Sequence, residues 1–230
     1  PMFDAFNEND LDLSSETVDP RLDHTVAQPE KPWKYETSII YTEDEWARQP
    51  GIYGPYSSLK ENVSPNCECF ERIPPFMSSS KNTILIRFAD VLLWKAEALI
   101  ELGRQGEALP IINQIRQRAI NSTELLQYAN GAPLSNYNVA LYDGSAWTQT
   151  FARQAPRWER RLDLAIYGHR FFDLVSWGFA SQEINEYFSD VKSKRELLQS
   201  AQFEAGKHEK LPITQQPINL SNGRNLQKKR

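Results

Sequence analysis

The sequence predicts a mainly α-helical protein, with one tetratricopeptide-type helix hairpin set among long irregular loop regions. Two observations predict this. Apolar residues recur at three- and four-residue steps from Ile84 to Ala119, whereas nine of the fourteen prolines fall within residues 1–80. That proline density makes long helices improbable in the first third of the chain, which reads as extended segments and loops. The expected organisation is therefore a loop-rich region, 1–80, and a helical part, 81–230, of one domain.

The elements follow in order. Ser38-Ile39-Ile40-Tyr41 is the strand candidate of the proline-rich region, with β-branched and aromatic residues together. Glu43-Asp44-Glu45 reads as the solvated first turn of a short helix, with Thr42 as its cap. From Ile84 to Leu102, the positions Ile84, Leu85, Phe88, Val91, Leu92, Ala96, Leu99 and Ile100 mark one amphipathic helical face, closed by Gly103. A second helix is expected from about Gly106 to Ala119. Its Ala108, Ile111, Ile112 and Ile115 point inward, its Arg116, Gln117 and Arg118 outward, and Pro110 lies in or near its first turn. The small alanines and the glycine turn of this pair have tetratricopeptide spacing, but a lone unit of that kind must pack on neighbours. Residues 121–150 read as a long loop or short broken helices. A third helical region is expected from Pro156 to Ala180, with a break at Gly168, then a weaker helix from Ser181 to Ala201 and an extended tail.

Composition excludes several functions. A net charge of -4 and a pI near 5.5 argue against a nucleic-acid partner, which needs a concentrated basic surface. No apolar run approaches the roughly 18–20 residues that cross a bilayer. His24, His169 and His208 lie far from each other and from Cys67 and Cys69, so no metal site or cofactor is expected. Cys67 and Cys69 are either two reduced thiols or a disulfide closing a very small loop. There is no phosphate loop, nucleophile elbow or zinc-protease motif, and no pair of carboxylates stands out as an acid and a base. The expectation is that the chain is not an enzyme.

The densest motif runs from Trp158 to Leu174 and contains Glu159-Arg160-Arg161 and Gly168-His169-Arg170-Phe171-Phe172-Asp173-Leu174. Arg160 with Asp163, and Arg170 with Asp173, have the i,i+3 spacing of helix ion pairs, so the motif reads as architecture bracing a helix against irregular neighbours. It resembles the signature of the SusD/RagB family, as does the Trp177-Gly178 that follows. Three further blocks are similar to that family in the same order. They are Asp19-Pro20-Arg21-Leu22, then Ile86-Arg87-Phe88-Ala89-Asp90-Val91-Leu92-Leu93 with Ala96-Glu97-Ala98 and Ile112-Asn113-Gln114-Ile115-Arg116, and finally Leu211-Pro212-Ile213-Thr214. Asp163, Tyr167 and Ser176 depart from the family pattern, as does the Asn225 to Arg230 end.

The resemblance implies a SusD-like α-helical fold and a non-catalytic nutrient-binding lipoprotein of the bacterial outer membrane, exposed at the cell surface. Its implied partners are a SusC-like TonB-dependent transporter and an oligosaccharide or peptide ligand. It also implies that an amino-terminal half lies outside this sequence, and with it the lipid anchor that contacts the membrane. Sugar faces stack on flat rings while sugar hydroxyls take polar partners. On that ground Trp33, Tyr35, Tyr53, Tyr56, Tyr137, Tyr142 and Trp147, all in expected loops, are the candidate ligand-binding residues. A tetratricopeptide-like interaction scaffold and a carbohydrate-active enzyme are the competing readings.

Overall fold

A computed structural model describes residues 17–221. Helix dominates and strands are short, and the chain divides into two compact units that meet at Gly168 and His169.

The first unit begins with short pieces. Its strands are β1 (Thr17–Val18), β2 (Val26–Ala27), β3 (Pro32–Trp33), β4 (Glu36–Ile40), β5 (Ser57–Ser58), β6 (Phe70–Ile73), β7 (Phe76–Ser79) and β8 (Asn136–Tyr137). They pair two by two: β1 with β8 in parallel, and β2 with β5, β3 with β4 and β6 with β7 antiparallel. Among them lie α1 (Arg21–Thr25), α2 (Glu43–Trp46) and α3 (Pro50–Tyr53). The strand expected at Ser38–Tyr41 is β4, and the acidic turn after Thr42 is α2. The Thr42 carbonyl accepts the Trp46 N–H at 3.2 Å, but its side chain caps no backbone N–H of α2; the hydroxyl instead donates to Glu45 Oε2 at 3.3 Å. Cys67 and Cys69 form a disulfide at the foot of the β6–β7 hairpin, next to the Ser80 N–H to Cys69 carbonyl bond.

The helical core of this unit is α4 (Phe88–Glu101), α5 (Gln105–Ile120) and α6 (Gln149–Asp163). α4 and α5 form the expected hairpin. Gly103 (φ 74°) turns the chain, its N–H bonding to the Ile100 carbonyl and that of Arg104 to the Leu99 carbonyl. These paired bonds close the helix with a residue in the left-handed region, where glycine has no Cβ to clash. Leu93, Ala96, Ile100, Ala108, Ile112, Ile115, Ala152 and Ala155 form one buried cluster, so small residues let the helices approach closely.

Four expectations need correction. The helix begins at Phe88, not Ile84, and its buried face carries Ala89, Asp90, Leu93, Ala96, Leu99 and Ile100. Phe88 and Val91 are exposed, because α4 is apolar on two faces and only one meets α5 and α6; Leu85, ahead of the helix, is exposed too. Pro110 sits in the second turn of α5, since the helix starts at Gln105. α6 starts seven residues before Pro156, because the Thr148 side chain accepts the Phe151 N–H at 3.2 Å and supplies a cap upstream of the proline.

The second unit holds α7 (His169–Trp177), α8 (Ala180–Val191) and α9 (Gln215–Leu220). Gly168 (φ 81°) makes the break expected before α7. Leu174, Ala180 and Phe203 form its core, with Phe171, Ile184 and Phe188 packed against them. Asn185 fixes the following loop, exchanging hydrogen bonds with the Phe203 backbone at 2.9 and 2.8 Å. The tail is not wholly extended: α9 forms there, with Pro217 in its first turn, where no N–H is required.

Candidate functional site

The motif residues assemble into a buried polar frame in the first unit. Asp19 accepts the Arg21 backbone N–H at 2.9 Å, and its two carboxylate oxygens take Arg21 Nε at 2.9 Å and Nη2 at 2.7 Å. This planar fork locks α1 and aims the remaining Nη1 at Glu159 Oε2, 2.7 Å away. Glu159 is fully buried on α6, and its other oxygen accepts Arg116 Nη1 of α5 at 2.6 Å. Arg116 is thus turned inward, not outward as its helical position predicts. Its guanidinium lies 4.0 Å from the Tyr142 ring centre. Burial opposes the charge of Arg21, but Asp19 and Glu159 outweigh it and raise the guanidinium above its ordinary value. Arg160 reaches across to Asp90 of α4, and Asp163 receives Arg87 and Arg118. The charges of the signature therefore tie α6 to α4, α5 and the α1 loop.

Asp23 is a second hub. Its Oδ1 accepts Gln28 Nε2 at 2.6 Å and Lys31 Nζ at 2.7 Å, while Oδ2 accepts the Ser135 hydroxyl at 2.7 Å and the Tyr137 hydroxyl at 2.6 Å. A buried carboxylate with four donors is well satisfied. Burial, and then the negative charge of Asp23, push the Tyr137 phenol well above its ordinary value. The hub joins α1 to the segment around β8, more than a hundred residues away in sequence.

That junction floors a groove of about 470 Å³, lined by Pro20, Ile120, Thr123, Glu124, Gln127, Asn136 and Tyr137 among others. Apolar walls from Pro20 and Ile120 face polar groups from Thr123, Glu124, Gln127 and Asn136, with one aromatic ring, Tyr137, held in place by Asp23. Such a lining can cover an apolar surface while meeting polar groups at its edge.

The seven candidate rings take different positions. Tyr137 lines the groove. Trp33 is buried, stacked on Tyr41 and tilted against Trp46. Trp147 is buried too, donating its indole N–H to the Gln105 carbonyl at 2.7 Å, and Tyr142 packs against it and Phe151. Tyr35 is exposed, its hydroxyl 2.8 Å from His24 Nδ1. Tyr53, the last residue of α3, and Tyr56 just beyond it are exposed, and the Tyr41 hydroxyl fastens the loop through the Pro55 carbonyl. The structure brings Trp33 together with Tyr41 and Trp46, and Tyr142 with Trp147; it does not gather all seven on one surface. Sequence reasoning passed over Asp23, Thr123, Gln127 and Asn136. Asp23 had a signal, since it directly follows the Asp19-Pro20-Arg21-Leu22 block; the other three are ordinary loop residues. Among the described residues no group of His, Cys, Asp and Glu could hold a metal ion, and no helix is long and apolar enough to cross a membrane.

One tetratricopeptide-like helix hairpin, braced by a buried polar frame and set among loops and short strands, defines the class of fold. The SusD family profile matches residues 4–228, and the chain belongs to that family. It is similar to two SusD-like proteins of Formosa agariphila. One is 35% identical over 116 residues, 50% of this chain and 19% of the relative. The other is 33% identical over 104 residues, 45% of this chain and 17% of the relative. The fold is similar to the crystal structure of a SusD homolog from Bacteroides thetaiotaomicron, with a TM-score of 0.57 and 23% identity, over 90% of this chain and 40% of that one. The matched region is thus less than a fifth of the length of these curated relatives, and the chain spans 40% of the crystal chain.

Proposed function

We propose that this chain belongs to a non-catalytic glycan-binding protein of the bacterial cell surface, which passes oligosaccharide to a SusC-like TonB-dependent transporter. A lipid anchor outside these residues would hold it to the outer membrane. Family membership supports the class of activity. The observation that carries the site is the groove beside Tyr137, where one fixed ring and several polar side chains share a rigid floor. Exposed Tyr53 and Tyr56 are candidates for a second contact with a longer chain.

Screening the chain against an array of neutral and acidic oligosaccharides, followed by calorimetry on the best of them, tests the reading. Gln127→Ala and Asn136→Ala remove groove side chains that are exposed, so the fold should be unchanged. Binding weakened by about tenfold or more in either variant, with no cleavage of the bound glycan, is the expected result. Release of shorter sugars, or affinity unaffected by both substitutions, sinks it.

A further inference from the structure

Asp163 stands in a different electrostatic setting from the other buried carboxylates. At Glu159 and Asp23 the donors are matched to the oxygens they meet. At Asp163 the cations are in surplus. Arg118 Nη2 lies 2.5 Å from Oδ1 and Arg87 Nη1 lies 3.0 Å from Oδ2, while Lys60 Nζ donates to the Asp163 carbonyl at 2.6 Å. These three side chains line a cavity of about 250 Å³, together with Arg21, His24 and Thr25.

The local charges do not cancel. Arg21 is neutralised by Asp19 and Glu159. Glu61, the next carboxylate, pairs with Lys81 at 3.6 Å and leaves the balance unchanged. Three positive groups therefore face the single charge of Asp163.

Hydrogen-bond donors are left over as well, although Arg87 Nη1 donates to the Asp163 carbonyl at 2.6 Å and Oδ2 is held by ion pairing without a hydrogen bond. Arg87 donates through Nη1 alone and Arg118 through Nη2 alone, so among the described residues their Nε and remaining Nη groups have no protein acceptor. The side chains are 20% and 57% exposed, so a ligand can reach them. The Tyr167 ring, 4.7 Å from Lys60 Nζ and 5.4 Å from the Arg87 guanidinium carbon, holds both cations at the cavity.

We propose that this cavity binds an oxyanion, the carboxylate or sulfate ester carried by an acidic saccharide. The proposal rests on the glycan-binding reading and gives it a ligand class. Guanidinium forks match the two oxygens of a carboxylate or sulfate. The cavity falls below the roughly 300–1,000 Å³ of pockets that swallow a whole drug-sized ligand, so it takes the charged substituent and leaves the sugar chain outside. Burial, followed by repulsion from Arg87, lowers the Lys60 ammonium to about 8, and the attraction of a bound anion opposes that shift.

The test is titration of the chain, at fixed ionic strength, with inorganic sulfate, glucuronic acid, galactose 6-sulfate and uncharged glucose, followed by NMR. Wild type is compared with Arg118→Gln and Lys60→Met, and melting curves verify that both variants fold. The expected result is that the oxyanion ligands shift resonances around the cavity, glucose does not, and both substitutions weaken binding by about tenfold or more. Glucuronic acid against galactose 6-sulfate tells which substituent fits. Equal oxyanion affinity in wild type and both variants, or none in any, overturns the proposal. If neutral oligosaccharides still bind in that case and lose affinity with Gln127→Ala, the glycan reading stands by itself. Sulfate binding lost in both variants, with no saccharide bound, supports the cavity and removes the glycan reading instead.

Discussion

The helical core and the loop segment that leans on it, both within the first unit, solve the problem of burial in opposite ways. α4, α5 and α6 satisfy their own backbone groups and need only an apolar face, supplied by Leu93, Ile100, Ile112, Ile115 and small alanines. Residues 17–41 contain β-strands of two to five residues and one five-residue helix, so few of their polar groups are satisfied by regular structure. Beside a small apolar cluster of Ala27, Trp33, Tyr41 and Leu59, they are fastened chiefly by carboxylates: Asp19 through Arg21 to Glu159, and Asp23 to Gln28, Lys31, Ser135 and Tyr137. Apolar contact is non-directional and tolerates exchange, whereas a buried ion pair fixes one geometry and fails when one partner is removed. A loop-built groove gains a defined floor by that means.

The contrast can be broken most severely at Glu159. Glu159→Ala leaves Arg21 and Arg116 buried without their shared acceptor, at a cost of about 3–5 kcal/mol. Hydrogen exchange should then show residues 17–41 losing protection before α4 and α5 do. Simultaneous loss in both regions would mean the frame and the helical core are one cooperative element.

Ile112→Ala attacks the other strategy. It opens a cavity in the fully buried centre of the hairpin, with an expected loss of about 2–5 kcal/mol in denaturant unfolding. Here exchange should accelerate in α4, α5 and α6 together. A loss below about 1 kcal/mol would show that the exposed second face of α4 lets the helices repack.

The smallest effect sharpens the distinction between the saturated frame and the surplus of cations at Asp163. Lys60 is lowered from its ordinary 10.5 to about 8 by burial, so above that pH the folded chain releases a proton that the unfolded chain keeps. The unfolded state then binds more protons, and stability rises with pH from about 8 towards 10.5. Lys31 and Lys34 are also lowered by burial and act in the same direction, whereas the raised tyrosines act oppositely near the top of that window. Comparing melting temperatures of wild type and Lys60→Met across the lower part of the window isolates the residue. The variant should gain less with pH, and an identical slope would remove Lys60 from the argument.

Part of this was legible residue by residue. The α4–α5 hairpin, the break at Gly168 and the architectural role of Glu159 and Arg160 follow from periodicity, glycine placement and a family resemblance. The start of α6 was hidden because Thr148 caps it from outside the periodic stretch, and Pro156 looked like a beginning while standing inside a helix. Arg160 and Asp163 suggested a pair with each other by spacing. The fold gives Arg160 a partner on α4 and brings two arginines from elsewhere to Asp163. Trp33 and Trp147 show the same limit, since a tryptophan in a loop segment and one in a core have the same letters around them.

The sequence by itself determined the family and the helical hairpin. These depend on local order: apolar spacing, glycines with positive φ and short ordered motifs. Only the tertiary structure decided which carboxylate each arginine meets, that Asp23 supports the Tyr137 groove, and that Lys60, Arg87 and Arg118 converge on one cavity. Those pairings join residues up to 138 positions apart, and Coulomb and hydrogen-bond forces depend on distance in space, which the chain order does not reveal.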